Sequence, residues 1–144
     1  MSVAAYFADT CFWIALSSPR DRHHPLALAW SRHLVQTRAA LLTTELVLWE
    51  WLNALSEPAT RGLAAEGYRR CHRDPQLEVV APDADLLDAA ARLYEARHDK
   101  HWSLTDCCSF VIMEQRGLTH ALTTDHHFQQ AGFQVVLLED PPES

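Results

Sequence analysis

The sequence predicts an α/β fold: a three-layer α/β/α sandwich with a central, mainly parallel sheet of about five strands. Short apolar runs of strand length recur along the chain, and amphipathic stretches of helical length separate them. In such βαβ units a parallel sheet is covered by helices on both faces. With 144 residues and no linker-like segment, residues 1–144 are expected to form one domain ending in a short polar tail, 140–144.

The predicted strands are short and apolar, as expected for strands buried on both faces. They are VAAYFA (3–8), the run ending in ALLTT (39–44), LEVVAP (77–82), THALTT (119–124) and FQVVLLE (133–139). Pro82 closes the third strand, because proline cannot donate a hydrogen bond to a sheet.

Six helices are predicted between these strands. The first begins at Thr10, and the other five cover residues 24–38, 46–55, 58–73, 83–98 and 103–117. Capping and helix-breaking residues mark their ends, namely Pro19, Pro25, Asp83 or Asp85, Ser103 and Gly117. Residues 46–55, LVLWEWLNAL, are apolar almost all round, so this helix is expected to be buried.

Composition excludes several classes of protein. No apolar run approaches the ~18 residues of a membrane helix, and no secretory signal is visible, so we expect a cytoplasmic protein that does not insert into a membrane. The four cysteines lack CxxC spacing and are expected to be buried thiols, which favours neither disulfides nor zinc. Four glycines form no phosphate-binding loop.

The net charge of −7 argues against broad electrostatic binding of nucleic acid. It does not exclude a nucleic-acid enzyme whose acids surround metal ions, because a bound cation reverses the local charge.

Four acids are predicted to gather at the carboxyl edge of the sheet, where ligands bind in open α/β folds. Asp9 and Asp125 each follow a predicted strand directly. Asp106 lies in the first turn of its helix, and Glu50 about two turns into the helix that leaves the second strand. Glu50 should point along the strip formed by Leu46, Asn53 and Ala54 into a shared cleft, with Trp49 and Trp51 turned about 100° to either side.

Each acid also has a simpler explanation. Asp9 could cap a helix, Asp106 could form a capping box with Ser103, Asp125 could be a turn residue, and Glu50 could lie on the surface. A cluster is different, because two carboxylates 4 Å apart repel by about 4 kcal/mol at an effective dielectric near 20. Such a cluster needs protons or cations. Oxygen ligands favour Mg²⁺ or Mn²⁺, which can support hydrolysis of a phosphodiester.

Four segments resemble, in order and spacing, the acidic motifs of PIN-domain proteins, and in particular the single-domain prokaryotic subgroup that includes VapC-type toxins. They are FADTCFW, TTELVLWEWLNAL, SLTDCCSFVIM and ALTTDHHFQQAGF. The resemblance implies a PIN-like fold and a Mg²⁺- or Mn²⁺-dependent endoribonuclease. It implies that Asp9, Glu50, Asp106 and Asp125 are the catalytic and metal-binding acids, and it favours Glu50 over nearby Glu45.

The resemblance also implies partners. RNA is the expected substrate, an antitoxin protein is the expected inhibitor, and a homodimer is a common assembly in the family. Three hydroxyl residues beside the acids, Thr10, Ser103 and Thr124, are expected to support the ligands or a water molecule.

Two basic stretches, 19–24 and 92–102, are candidates for holding RNA. Their residues Arg20, Arg22, Arg97 and Lys100 are predicted to line the rim of the groove, with plain surface positions as the alternative. The adjacent pairs at 23–24 and 126–127 do not favour a zinc site. For His126 and His127 we expect surface or packing roles, with a position near the scissile phosphate as the alternative.

Two further functions stay open: a nuclease of the same chemistry that acts on DNA or on RNA outside any toxin system, and a non-catalytic binding module of the same fold. The presence of all four acids argues against the second.

Overall fold

A computed structural model describes residues 4–143 and contains a five-stranded parallel sheet. The strands are β1 (Ala5–Ala8), β2 (Ala40–Thr44), β3 (Leu77–Val80), β4 (His120–Leu122) and β5 (Gln134–Val135), in the order β3-β2-β1-β4-β5. The helices are α1 (Thr10–Ser17), α2 (His24–Thr37), α3 (Glu45–Ala54), α4 (Pro58–Arg73), α5 (Ala84–Ala96), α6 (Leu104–Gln115) and α7 (His126–Gln130). The predicted α/β/α fold is confirmed.

The strand order assigns the helices to two layers. The crossovers from β1 to β2 and from β2 to β3 run in one direction across the sheet, and those from β3 to β4 and from β4 to β5 run in the other. Because parallel crossovers are right-handed, the first set puts α1 to α4 on one face and the second puts α5 to α7 on the opposite face. The helix packing agrees: α1 contacts α2 and α3, whereas α6 contacts α5 and α7.

This order also locates the cleft. β1 and β4 are neighbours, and the chain leaves them in opposite directions along the sheet. A crevice forms beyond the carboxyl ends of two such strands, since no helix crosses over it. Asp9 follows β1 and Asp125 lies shortly after β4, so both acids flank this crevice.

The core consists of apolar side chains from the sheet and from both helical layers. Phe7 of β1, Leu122 of β4 and Phe128 of α7 are fully buried, and each contributes roughly 1.5–3 kcal/mol by leaving water. The aromatic rings of Phe7 and Phe128 pack with their centroids 6.2 Å apart. The core therefore extends to the residues next to the crevice.

The ends of the predicted strands differ from those observed. β4 ends at Leu122, because Thr123 and Thr124 turn out of the sheet toward the crevice. β5 contains only two residues, although Leu137 beyond it is fully buried. Apolar runs predict burial, whereas strand length depends on partners in the sheet. Val3, the predicted start of the first strand, lies outside the described residues.

Two helical features were not foreseen. The short helix α7 was missed; it begins after Asp125, which caps it. The expectation that α3 is buried all round was wrong, because Trp49 is 60% exposed and Asn53 and Ala54 are also exposed. Trp51 is buried, stacks on Trp13 at 5.7 Å and donates its indole N–H to Ser17 Oγ at 3.0 Å. The side of α3 that carries Trp51 therefore anchors the helix, and the side that carries Trp49 is exposed.

Cys71, Cys107 and Cys108 are buried thiols, as predicted, and Cys11 is half-buried. Across residues 4–143, no helix has both the length and the apolar character needed to cross a membrane.

Candidate active site

Asp9 lies at the bottom of the crevice. Its backbone N–H donates to the carbonyl of Leu122 at 3.2 Å, which joins the end of β1 to the end of β4. Asp9 occupies the position before α1 but makes no capping hydrogen bond with its side chain. Instead, its carboxylate accepts a hydrogen bond of 2.8 Å from Thr123 Oγ1. The helix-capping explanation therefore does not hold for Asp9.

Burial gives Asp9 an unusual acidity. The residue is only 5% exposed. Loss of water around the carboxylate raises its pKa to about 7. Hydrogen bonds from Thr123 and from the backbone of Thr10 favour the charged form and oppose this rise. The negative charges of Asp106 and Glu50 raise the pKa further. These three carboxylates therefore share one electrostatic environment, and burial makes Asp9 hard to ionise within it.

Asp106 takes part in a capping box, as its simpler explanation proposed, and Asp125, expected as a turn residue, caps α7. Asp106 and Ser103 form a reciprocal capping box at the start of α6, with hydrogen bonds of 3.0 and 3.1 Å. Asp125 accepts a hydrogen bond of 2.9 Å from the backbone N–H of His127 at the start of α7. Capping fixes both carboxylates at the crevice, so it does not compete with a functional role.

His127 lies between these two acids. Its Nδ1 atom is 3.2 Å from Asp106 Oδ2 and 3.4 Å from Asp125 Oδ1, and its side chain is 20% exposed. The neighbouring His126 is different, because its side chain is 71% exposed and its Nδ1 is 3.6 Å from Asp125 Oδ1. The expected surface role suits His126, whereas the ring of His127 contacts the two acids.

Glu50 approaches the cluster from α3. Its Oε2 atom accepts a hydrogen bond of 3.3 Å from Thr10 Oγ1 at the start of α1. The residue as a whole is exposed, yet its carboxylate is partly withdrawn from water, which is the main cause of its raised pKa. The Thr10 hydrogen bond opposes this rise, and the charges of Asp106 and Asp125 add to it. Glu50 is thus at the solvent side of the four acids.

Glu45, the other glutamate of this segment, is engaged away from the cluster. Tyr68 of α4 donates its hydroxyl hydrogen to Glu45 Oε1, and Trp49 donates its indole N–H to the same atom at 3.1 Å. His72 Nε2 lies 3.1 Å from Oε2. Glu45 therefore ties α3 to α4, in agreement with the preference for Glu50.

The contacts that the hydroxyl residues make with the acids differ from the prediction. Thr10 contacts Glu50 and Ser103 contacts Asp106, whereas Thr123, which the sequence analysis did not select, is the side chain that contacts Asp9. Thr124 is half-buried beside it. No local pattern distinguishes Thr123 from Thr124, because both follow the end of β4, where the chain leaves the sheet.

The predicted RNA-binding residues lie in two places. Arg97 and Lys100 line a cleft of about 1080 Å³ between α5 and α6, together with exposed Tyr94 and the capping residue Ser103. Arg97 lies over the ring of Trp102 at 5.0 Å. Arg20 and Arg22 are exposed in the turn that follows α1, at the end of that helix farther from Asp9.

The positive charge of this cleft is compensated by Asp99 and by Glu95, which also lines the cleft. Asp99 receives hydrogen bonds of 3.0 and 3.2 Å from Arg97, and Lys100 Nζ lies 3.8 Å from it. The three side chains together carry one net positive charge.

The donor atoms of the cluster suit a divalent cation. Within the described part of the chain, no lysine or arginine pairs with Asp9, Glu50, Asp106 or Asp125, and their only ionisable partners at ion-pair distance are His126 and His127. Burial is the main cause of the raised pKa values of Asp9 and Glu50, and repulsion from the neighbouring carboxylates adds to it. Hard oxygen donors with uncompensated negative charge are the usual setting for Mg²⁺ or Mn²⁺.

Comparison with known proteins gives consistent results. The 23S rRNA-specific endonuclease VapC20 of Mycobacterium tuberculosis is 30% identical over 129 residues, which cover 88% of this chain and 94% of that protein. A crystal structure of VapC20, described as a Sarcin-Ricin loop cleaving toxin, matches with a TM-score of 0.79 at 26% identity and covers 91% of this chain and 98% of that one.

The fold extends to more distant proteins. The crystal structure of VapBC2 from Rickettsia felis, bound to a DNA fragment from their promoter, matches with a TM-score of 0.65 at 11% identity and covers 91% of this chain and 96% of that one. A family model described as PIN domain matches residues 6–134. The resemblance seen in the four acidic segments is therefore confirmed, and the chain belongs to the PIN domain family.

Proposed function

We propose that this protein is a metal-dependent endoribonuclease that hydrolyses RNA phosphodiester bonds with its cluster of acids, and that it is the toxin of a toxin–antitoxin pair. One observation supports the chemistry most directly. A buried carboxylate, Asp9, shares its electrostatic environment with Asp106 and Glu50, and the cluster has no lysine or arginine partner among the described residues. Such an arrangement costs stability unless a cation compensates it.

Asp9, Asp106 and Asp125 would hold the cation, Mg²⁺ or Mn²⁺. When bound, the cation supplies positive charge that makes water a better nucleophile and stabilises negative charge on the phosphate oxygens. Glu50 would be a further ligand or would orient the attacking water, because it is the most exposed of the four. Thr123 and Thr10 would keep the carboxylates of Asp9 and Glu50 in fixed orientations, through the hydrogen bonds already described.

The cation should also stabilise the fold. A ligand that binds only the native state raises the melting temperature. Addition of Mg²⁺ should therefore raise the melting temperature of the wild type, and this shift should shrink in Asp125→Asn. A melting curve that ignores both Mg²⁺ and Mn²⁺ would contradict a preformed metal site.

RNA is the proposed substrate, and the cleft between α5 and α6 is its proposed route to the acids. This cleft offers Arg97 and Lys100 for phosphates and the exposed ring of Tyr94 for base stacking, and it ends at Ser103, three residues before Asp106. Arg20 and Arg22 lie at the far end of α1, so they would contact only RNA that extends beyond the acids. A toxin role would add an antitoxin protein as partner and a homodimer as the assembly.

Point variants test the catalytic assignment. Asp9→Asn and Asp106→Asn should each abolish Mg²⁺-dependent RNA cleavage while circular dichroism shows an intact fold. Asp88→Asn, which changes an exposed aspartate of α5 paired with Arg92, is the matched control and should cleave at the wild-type rate. Retained cleavage in both active-site variants would overturn the proposal.

The relative VapC20 suggests the first substrate. Purified 23S rRNA, intact ribosomes and single-stranded DNA should be incubated with the wild type and with Asp9→Asn, and the new ends sequenced. Cuts in 23S rRNA made by the wild type alone would support a ribosome-directed toxin. Cuts in DNA alone would favour the alternative nuclease, and growth arrest that Asp9→Asn relieves would support the toxin role.

A further inference from the structure

We propose that His127 is a metal ligand and that it gives the centre a mixed nitrogen and oxygen donor set, so that the site binds Mn²⁺ in preference to Mg²⁺. This inference rests on the proposed metal site and adds to it a ligand that the four acidic motifs do not contain. The sequence alone predicts only oxygen ligands.

The position of His127 is fixed by the backbone. Asp125 caps α7 by accepting the backbone N–H of His127, so the residue stands in the first turn of the helix. From there its ring reaches across to α6, and one nitrogen, Nδ1, faces carboxylate oxygens from two different elements, at 3.2 Å from Asp106 and 3.4 Å from Asp125. The ring is mostly buried, with 20% of the side chain exposed.

These spacings are those of ligands that share a cation. Neighbouring ligands of an octahedral ion at 2.0–2.1 Å are separated by about 3.0 Å. Neighbouring ligands in a tetrahedral shell with nitrogen at 2.0–2.1 Å are separated by about 3.3 Å. The observed distances of 3.2 and 3.4 Å lie within a few tenths of an ångström of both values. The Nδ1 atom of His127 is therefore close enough to each carboxylate to share a cation with it.

The chemistry of the donors sets the preference. Carboxylate and water oxygens suit Mg²⁺, whereas imidazole suits transition metals, which bind nitrogen more strongly. A nitrogen within the same group of donors adds affinity for Mn²⁺ without adding comparable affinity for Mg²⁺. His126 belongs to the same local group, with donor atoms of Asp125, His126 and His127 all within 4.8 Å of one another. Its side chain is 71% exposed, however, which makes it the matched comparison.

A different arrangement fits the same distances: the His127 ring could be a hydrogen-bond donor to the two carboxylates and take no part in binding a metal. The two arrangements differ in what happens when Mn²⁺ is present. If His127 is a ligand, its nitrogen nucleus couples to the unpaired electrons of Mn²⁺. If His127 is only a hydrogen-bond donor, its ring nitrogen is not bound to Mn²⁺ and shows no such coupling.

The test uses Mn²⁺ itself and needs no RNA. Pulsed electron paramagnetic resonance of the wild-type protein with one equivalent of Mn²⁺ should show coupling to a directly bound ¹⁴N nucleus. The coupling should disappear in His127→Ala and remain in His126→Ala. Titration should show that His127→Ala weakens Mn²⁺ binding at least about tenfold and changes Mg²⁺ binding much less. His127→Asn, which puts an oxygen donor near the position of Nδ1, should bind Mg²⁺ relatively better than the wild type does.

Several outcomes would overturn the inference: no ¹⁴N coupling in the wild type, coupling that persists in His127→Ala, or an equal loss of Mn²⁺ and Mg²⁺ affinity. The metal-free melting temperature of each variant establishes that it folds. If the wild type cleaves RNA with Mn²⁺ but shows no coupling, His127 is not a ligand and the proposed nuclease stands. If neither cation binds or supports cleavage, the proposed metal site itself fails.

Discussion

The hydroxyl of Thr123 joins two acids that follow different strands. It donates a hydrogen bond of 2.8 Å to Asp9 Oδ2, and its oxygen accepts the backbone N–H of Asp125 at 3.1 Å. Thr123 is fully buried, so water does not replace either bond. One side chain thus sets the orientation of the Asp9 carboxylate and the path of the chain that carries Asp125.

Replacing Thr123 should therefore impair catalysis more than stability. In Thr123→Val a near-isosteric side chain keeps the packing but loses the hydroxyl, and Asp9 loses the hydrogen bond that most favours its charged form. We expect cleavage to fall by 10–100-fold and its pH profile to move to higher pH. The rate of RNA cleavage between pH 5 and pH 9 checks this.

Thr119→Val is the control for that experiment, because Thr119 is an exposed threonine that bonds only its neighbour His120. It should cleave like the wild type. A Thr123→Val protein with an unchanged rate and profile would show that the hydrogen bond to Asp9 has no catalytic importance.

The pKa of Asp9 predicts how stability depends on pH in the absence of metal. The carboxyl is harder to ionise in the folded protein, where its pKa is about 7, than in the unfolded chain, where it is near 3.8. The folded state therefore binds the proton more strongly, and its stability falls as pH rises from about 4 to about 7. The full effect is roughly 4 kcal/mol.

Comparison with Asp9→Asn isolates this contribution. With EDTA present, the free energy of unfolding of Asp9→Asn relative to wild type should increase from pH 4 to pH 7 and then level off. Urea unfolding at each pH measures it. A constant difference between the two proteins over this range would mean that the pKa of Asp9 is not raised.

Gly67 of α4 is required by the packing of Trp51. A Cβ atom at this position would lie 2.6 Å from Cη2 of the Trp51 ring, which is itself buried against Trp13. Gly67→Ala should lower the free energy of unfolding by about 1–3 kcal/mol, because the ring cannot move without disturbing its stack.

Gly62 is the matched control, since it is also in α4 and a Cβ atom there would meet nothing within 4 Å. Gly62→Ala should stabilise the protein by roughly 0.5–1 kcal/mol through the better helix propensity of alanine. Urea unfolding of both variants checks the pair. Equal effects at the two positions would show that contact with Trp51 does not restrict Gly67.

The ion pair at Asp99 predicts a gain of RNA affinity. Asp99 neutralises part of the charge of Arg97 and Lys100. Asp99→Asn should strengthen RNA binding and make it more sensitive to salt, whereas Arg97→Ala and Lys100→Ala should weaken it and flatten the salt dependence. Each change is combined with Asp9→Asn, which prevents cleavage. Filter binding of RNA to these proteins at several salt concentrations measures the affinity and its salt dependence. If the three changes leave affinity and salt dependence intact, the cleft between α5 and α6 does not hold RNA.

The sequence predicted the main features of the fold because each depends on local pattern. The five apolar runs became strands in a parallel sheet, and caps such as Ser103 began helices where expected. Asp9, Asp106 and Asp125 follow strands or lie at the start of a helix, so strand direction alone was enough to bring them to one edge. Strand order, by contrast, depends on pairing between distant segments, and no local pattern records that β4 lies beside β1.

The parts that the sequence did not predict are contacts between side chains of separate elements. Thr123 rather than Thr124 faces Asp9, because the chain turns out of the sheet directly after Leu122. His127 looked like one of an ordinary pair until α7 turned its ring toward Asp106. The exposure of Trp49 was missed since an apolar helix of this length resembles a buried one in sequence.

The capping of α6 and α7 by the two acids has a consequence for how activity could be lost. Asp106 and Asp125 bind backbone amides with the same carboxylates that would bind a cation. Asparagine at either position keeps a side-chain oxygen for the cap and removes the charge, whereas alanine removes both. A chain in which asparagine replaces one of these aspartates would lose cleavage and keep its fold. An inactive descendant of this nuclease would therefore still be able to bind its substrate.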